Sequence, residues 1–176
     1  LHDALPICAA AMTLLLLARH EKKLTRTAIE QGLHHVQWPG RFQVLRAGKT
    51  DVVIDGAHNP AGIDTFCKTY SDVFGDRKRV FLFSVLADKD YTRMVRELFH
   101  DDDYVVCAPA PTPRTSDPEE MAKILPCRAD WADSIAHGLD KAFAAVQDGQ
   151  VLCIVGSLYI QGEVRQYLRN TYHIDM

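Results

Sequence analysis

The stretch from Val80 to Val85 limits most sharply what this chain can fold into, because it is apolar at every position but Ser84. A strand with one wet face alternates apolar and polar residues. A near-continuous apolar run belongs instead to a parallel strand covered on both faces. Tyr104 to Ala108 and Val151 to Val155 read the same way. Between these runs the period changes to that of a helix. Ile63, Phe66, Tyr70 and Phe74 form one stripe over 60–74, and Met94, Val95 and Leu98 form another over 91–99. Helices are also expected over 118–125, 131–147 and 158–169. Short strands are expected at 42–46 and 51–55, joined by a hairpin turn at Ala47-Gly48-Lys49-Thr50. Strands alternating with helices define an α/β fold, a Rossmann-like, mostly parallel sheet with flanking helices.

Two helices precede this pattern. The first spans 8–19, and the second runs over 25–33, starting near Thr25 and closing at Gly32. Trp38-Pro39-Gly40 then stops any helix, so 34–39 reads as a linker. The apolar stretch from Ile7 to Ala18 is too short to cross a bilayer, and Leu1-His2-Asp3 is not the basic flank of a signal peptide. No membrane association is expected. Residues 1–7 lack an initiator Met and are expected to be a non-native leader. Residues 8–37 read as a helical remnant of a neighbouring domain, and 38–176 as the α/β domain.

A formal net charge of −3 provides no basic field to neutralise phosphates, so no nucleic-acid partner is expected. The cysteines, Cys8, Cys67, Cys107, Cys127 and Cys153, are odd in number and contain no CxxC pair. That pattern suggests neither a disulfide framework nor a zinc site. Cys107 and Cys153 fall inside apolar runs and read as small core residues, in keeping with a reducing cytoplasm.

Parallel sheets take ligands at the carboxyl ends of their strands. Three strand exits carry polar residues there: Asp55-Gly-Ala-His58-Asn59-Pro60, Ser84 to Asp90, and Gly156-Ser157. In the first, Gly56 permits close approach, Asn59 can cap a helix and Pro60 suits its first turn. Those structural roles leave Asp55 and His58 unexplained. Asp55 could accept from sugar hydroxyls, and His58 could contact a phosphate or carboxylate. Trp38-Pro39-Gly40-Arg41 is either a rigid entry turn with a surface Arg or a mount aiming the Arg41 fork at phosphate oxygens.

Other segments carry less. Gly48-Lys49-Thr50 is no phosphate loop, because Gln43 stands where the first glycine is needed and the triplet leads into a strand. Ser157 lacks the second glycine of Gly-x-Ser-x-Gly and could simply cap the last helix. His34-His35 reads as solvated linker and Asp101-Asp102-Asp103 as a solvated turn.

Together, several segments resemble the C-terminal domain of the Mur ligase superfamily, in its folylpolyglutamate synthase/dihydrofolate synthase branch. They are Trp38-Pro-Gly-Arg41, Asp55 to Pro60 behind Val52-Val53-Ile54, Asp88-Lys89-Asp90, and Gly156-Ser157-Leu158-Tyr159 followed by Gly162-Glu163-Val164-Arg165. The resemblance covers roughly 38–169. It implies an ATP-dependent amide ligase. A folate or dihydropteroate carboxylate attacks the γ-phosphate of ATP. The resulting acyl phosphate is then attacked by the amino group of L-glutamate, giving an amide, ADP and phosphate. It further implies that Arg41 and Asp55 belong to the ATP site, Arg41 at the phosphates and Asp55 at the ribose or adenine side. His58 and Ser157 would lie near the incoming glutamate or the transferred phosphate, and Lys89 near a domain interface. The cofactors implied are ATP and Mg²⁺. The metal ligands and the phosphate loop belong to a central domain, of which 8–37 would be the remnant, and this chain offers no metal site. The family's ATP-contacting Asn at the start of that first helix is missing, since the sequence there reads Ile7-Cys8-Ala9-Ala10-Ala11. The chain alone is expected to be inactive, and the parent a cytoplasmic monomer. A stand-alone nucleotide-binding module and a cell-wall Mur ligase domain are the rival readings.

Overall fold

The computed structural model describes residues 4–21, 24–35 and 38–174. The chain divides into two compact units, Leu1–Trp38 and Pro39–Met176.

The first unit holds α1 (Ala4–Leu17) and α2 (Arg26–His34). Helix α1 begins four residues earlier than the sequence pattern suggests, and its Met12, Leu15, Leu16 and Leu17 are at least half exposed. In α2 the Thr25 hydroxyl accepts from the Ala28 N–H, which satisfies one orphan donor of the first turn. Gly32 does not close this helix; it continues to His34 and ends where the His35 N–H donates to Gln31. Linker residues 36–37 and the first three residues lie outside the described residues.

The second unit is a sheet of six strands with helices on both faces. Its elements in chain order are β1 (Gln43–Ala47), β2 (Thr50–Ile54), α3 (Pro60–Phe74), β3 (Arg79–Phe83), α4 (Tyr91–Leu98), β4 (Tyr104–Cys107), α5 (Pro118–Lys123), β5 (Arg128–Trp131), α6 (Ile135–Ala145), β6 (Val151–Val155) and α7 (Gln161–Tyr172). The spatial order is β1-β2-β6-β3-β4-β5. All neighbours are parallel except the β1–β2 hairpin, which turns at Gly48-Lys49. Strands β3 and β6 are buried at every position, as two-sided burial requires.

Successive residues face opposite layers. Val52, Ile54, Val80, Leu82, Leu152 and Ile154 pack under α6 and α7, through Leu139, Ala142, Val164 and Leu168. Val53, Phe81, Phe83, Cys107 and Cys153 pack under α3 and α4, through Ile63, Phe66, Met94 and Leu98. Each such fully buried aliphatic or aromatic side chain contributes about 1.5–3 kcal/mol. Cys107 and Cys153 are thus core residues, and burial pushes both thiols well above their usual range, Cys107 to about 12.

Three expectations are corrected. The helix expected over 131–147 starts only at Ile135, capped by Ser134, and Trp131 instead ends β5, which pairs in parallel with β4 at the sheet edge. Asp103 does not lie in a solvated turn. Its carboxylate is buried and takes the Arg79 guanidinium in two hydrogen bonds, 2.9 and 2.5 Å long, plus the His100 N–H at 2.8 Å. Finally, α7 starts at Gln161, and Ser157 is not its cap; Ile160 holds that place without a side-chain bond.

Candidate functional site

Strand β6 sits between β2 and β3, yet its chain continues into α7 on one face while β2 and β3 feed α3 and α4 on the other. The carboxyl end of β6 is therefore a switch point, where neighbouring connections diverge and leave a crevice. The residues at this crevice are packed closely. Gly156 has φ +113, and a Cβ there would stand 2.9 Å from the Phe83 ring and closer still to the Ser84 carbonyl oxygen. Gly56 likewise lies hard against the Leu158 side chain. Gly156 is required by its close backbone approach and left-handed conformation, whereas at Gly56 the crowding comes from side chains.

A cavity of about 150 Å³ opens at this end, lined by His58, Leu86, Lys89, Arg114, Ser157, Leu158 and Tyr159. Its walls come from the loops after β2, β3, β4 and β6. His58 Nδ1 lies 2.8 Å from the Gly56 carbonyl oxygen. A carbonyl only accepts, so Nδ1 carries the proton and Nε2 of the neutral ring is left as an acceptor. Buried Ser157 accepts from the Tyr159 N–H at 3.1 Å, which leaves its own proton to donate. Arg114 pairs with Asp88, and this partner holds the Asp88 carboxyl below the usual range. The Ala87 N–H donates to the Arg114 carbonyl and so ties the loops after β3 and β4 together. Lys89, Arg114 and the Ser157 hydroxyl give the cavity cationic and donor character suited to a small anion. Its volume is well below the roughly 300 Å³ at which drug-sized ligands begin to fit.

The second part of the site is the Pro39–Phe42 turn. Phe42 is held in a left-handed conformation, φ +38, and its N–H donates to Asp55 Oδ2 at 2.6 Å. Asp55 Oδ1 accepts from the Ala57 N–H at 2.7 Å. The sequence offered no structural role for Asp55; the fold gives it one, tying this turn to the loop that carries His58. The Phe42 ring packs on α3, 5.6 Å from Phe66 and 6.4 Å from Phe74. The exposed Arg41 guanidinium makes no hydrogen bond or ion pair among the described residues. No cluster of three His, Cys, Asp or Glu side chains among the described residues could hold a metal ion. No helix among them is long and apolar enough to cross a membrane.

The sequence profile of the Mur ligase, glutamate ligase domain, matches residues 40–158, from the Arg41 turn to the wall of the cavity. The chain belongs to this family. The chain is 36% identical over 152 residues to folylpolyglutamate synthase of Lacticaseibacillus casei, covering 84% of this chain and 34% of that protein. Among solved structures it is similar to the ligand-free bifunctional folylpolyglutamate synthase/dihydrofolate synthase of Yersinia pestis. The TM-score is 0.78 with 27% identity, covering 93% of this chain and 40% of that one. It is also similar to Escherichia coli FolC in complex with DHPP and ADP, with TM-score 0.76 and 25% identity, covering 83% of this chain and 35% of that one. Across three curated relatives this chain spans 17% to 34% of their length.

The fold brings His58 and Ser157 to one cavity, while Asp55 bonds to the neighbouring turn that carries Arg41. Lys89 and Arg114 join the cavity. Arg114 lies inside the proline-rich loop Pro109 to Pro118, and no sequence signal places it there. The Leu86–Thr115 bridge, the Ala87 N–H bond to its carbonyl and the Asp88 pairing bring it to the site.

Proposed function

We propose that this chain is the glutamate ligase domain of an ATP-dependent ligase that joins L-glutamate to dihydropteroate or folate through an acyl phosphate. The observation that carries this reading is the cavity at the β6 switch point, where Lys89, Arg114, His58 and Ser157 converge beside the pinned Arg41 turn. The cavity is sized for an amino acid, and Lys89 with the Asp88-paired Arg114 suits its carboxylates. In this reading Lys89 and Arg114 take glutamate carboxylates, and Ser157 donates to one of them. The acceptor nitrogen of His58 faces the same ligand and can receive a proton from the attacking amino group. Arg41 extends toward the nucleotide phosphates and Asp55 toward the ribose or adenine side, with the second duty of fixing the turn. ATP supplies the phosphoryl group that activates the folate carboxylate. Among the described residues no cluster of side chains could cradle magnesium. The ligase acts as a cytoplasmic monomer, where Cys67, Cys107, Cys127 and Cys153 remain free thiols.

Steady-state kinetics of the intact ligase carrying this domain test the assignment. Losing the charge-assisted contact of Arg41 costs on the order of 1.5–3 kcal/mol, so Arg41→Ala should lower kcat/KM for ATP roughly tenfold or more. Lys89→Ala should raise KM for glutamate and leave that for ATP unchanged. Wild-type values in both variants would overturn the assignment. The isolated chain should bind ATP with a Kd no better than about millimolar, because a few one-sided contacts barely offset the entropy of association. Micromolar binding by calorimetry would contradict it.

A further inference from the structure

The backbone is held on both sides of Arg41, at Gly40 and at Phe42, and one of the holding side chains comes from the far end of the domain. Gly40 is buried in a left-handed conformation, φ +77. Its N–H donates to Gln43 Oε1 at 3.1 Å. Its carbonyl accepts twice, from the Gly56 N–H at 2.9 Å and from Gln161 Nε2 at 3.2 Å. Arg165, one turn further along α7, steadies Gln43 from behind, donating to the same Oε1 at 3.0 Å. On the other side of Arg41, Phe42 is pinned by Asp55 in a conformation that bulky residues seldom adopt. Backbone held against its preference persists where the surroundings over-determine it, and such places gather at functional sites.

Gln161 is the unusual member of this set. It opens α7, where a polar side chain would ordinarily serve its own helix terminus, and α7 has no side-chain cap. The Gln161 amide instead packs against Gly40, so closely that a Cβ at position 40 would collide with it. The Gln161 N–H donates to the Leu158 carbonyl, in the loop that carries Ser157. One residue thus touches the Arg41 turn and the Ser157 loop, and it would also crowd any side chain at Gly56, with Nε2 3.2 Å from a Cβ there.

We propose that Gln161 is a positioning residue for the nucleotide side of the reaction, fixing the Gly40 carbonyl and through it the direction of the Arg41 guanidinium. The inference rests on the reading of Arg41 as a phosphate contact. It differs from a purely structural role in what it disturbs. A loosened turn leaves the fold and the amino-acid cavity in place and lets Arg41 swing, so affinity for ATP falls and affinity for glutamate does not.

The test is a double-mutant cycle in the intact ligase, with KM for ATP and for glutamate measured separately. Gln161→Glu keeps the shape but turns a donor toward Gly40 into an acceptor. Gln161→Met keeps the length without polarity, and serves if the charged variant folds poorly. Either is expected to raise KM for ATP about fivefold or more and to leave KM for glutamate within about twofold. In an Arg41→Ala background neither should add anything, because the group being aimed is gone. Effects that multiply across the two positions, or equal losses for both substrates, would overturn the inference while leaving the Arg41 assignment intact. A wild-type KM for ATP in Arg41→Ala would sink the assignment and this inference together.

Discussion

Asp103→Ala should be among the most damaging single changes in the domain. Arg79 and Asp103 have side-chain exposures of only 6% and 2% and share two hydrogen bonds. Removing the carboxylate leaves a guanidinium buried between the Tyr70 and Phe81 rings, 5.6 and 5.1 Å from their centroids. It also orphans the His100 N–H. Stacking on the rings is worth about 0.5–2 kcal/mol and survives the substitution. It cannot replace a counter-charge, and breaking a buried pair from one side typically costs about 3–5 kcal/mol. That is a large share of a total stability of about 5–15 kcal/mol. With a urea slope of about 2 kcal/mol/M, the unfolding midpoint should fall by roughly 1.5–2.5 M. The double variant Arg79→Met/Asp103→Leu removes both charges and should recover most of this, leaving chiefly the His100 N–H, about 1–3 kcal/mol. Urea unfolding of the three proteins followed by circular dichroism decides the matter. A loss below about 1 kcal/mol for Asp103→Ala would refute the reasoning, as would a double variant no better than the single.

Gly156→Ala forces a side chain into a left-handed conformation against Phe83 and Ser84 and should cost at least about 1–3 kcal/mol; an unchanged melting temperature would contradict the close approach. Asp51 sits between Arg46 and Arg77, at 2.5 and 2.8 Å. Partial burial works to raise its pKa, but hydrogen bonds from the two arginines outweigh it and hold the carboxyl below the usual range. A depressed carboxyl stabilises the fold above its unfolded value near 3.9, and that stabilisation fades as pH falls through the folded value. The advantage of wild type over Asp51→Asn, up to about 1 kcal/mol at neutral pH, should therefore vanish in strong acid; an equal gap at both pH values would show that the charge is not involved.

Helix α3 and strand β6 were legible to the residue in the sequence, because apolar periodicity is the imprint of burial and both elements are buried where the pattern says. Asn59 and Pro60 marked the start of α3 for the same local reason. Strand β5 left no such imprint. Its sequence, Arg128-Ala-Asp-Trp131, carries no apolar run because the strand lies on the sheet edge, paired on one side only and exposed at both ends. The buried pairing of Asp103 was invisible because its partner is 24 residues away and only the adjacency of β3 and β4 brings them together. The site shows the same division. His58 and Ser157 stood at strand exits and could be read off the chain. Arg114 in a proline-rich loop and Gln161 on a distant helix acquire meaning only through tertiary contact.

The placement of β6 also bears on how the domain comes into being. Strands β1 to β5 leave the ribosome before it, yet the last strand made occupies the slot between β2 and β3. Until residues 151–155 arrive, β2 and β3 each present an open edge toward a gap one strand wide, and the hairpin cannot join the rest of the sheet. Vectorial synthesis therefore cannot build this sheet from its amino-terminal side onward; the nascent chain must hold two half-sheets apart and close them in one late event of high contact order. The insertion that completes the sheet also delivers Gly156, Ser157 and the start of α7, so the crevice exists only once the sheet is closed.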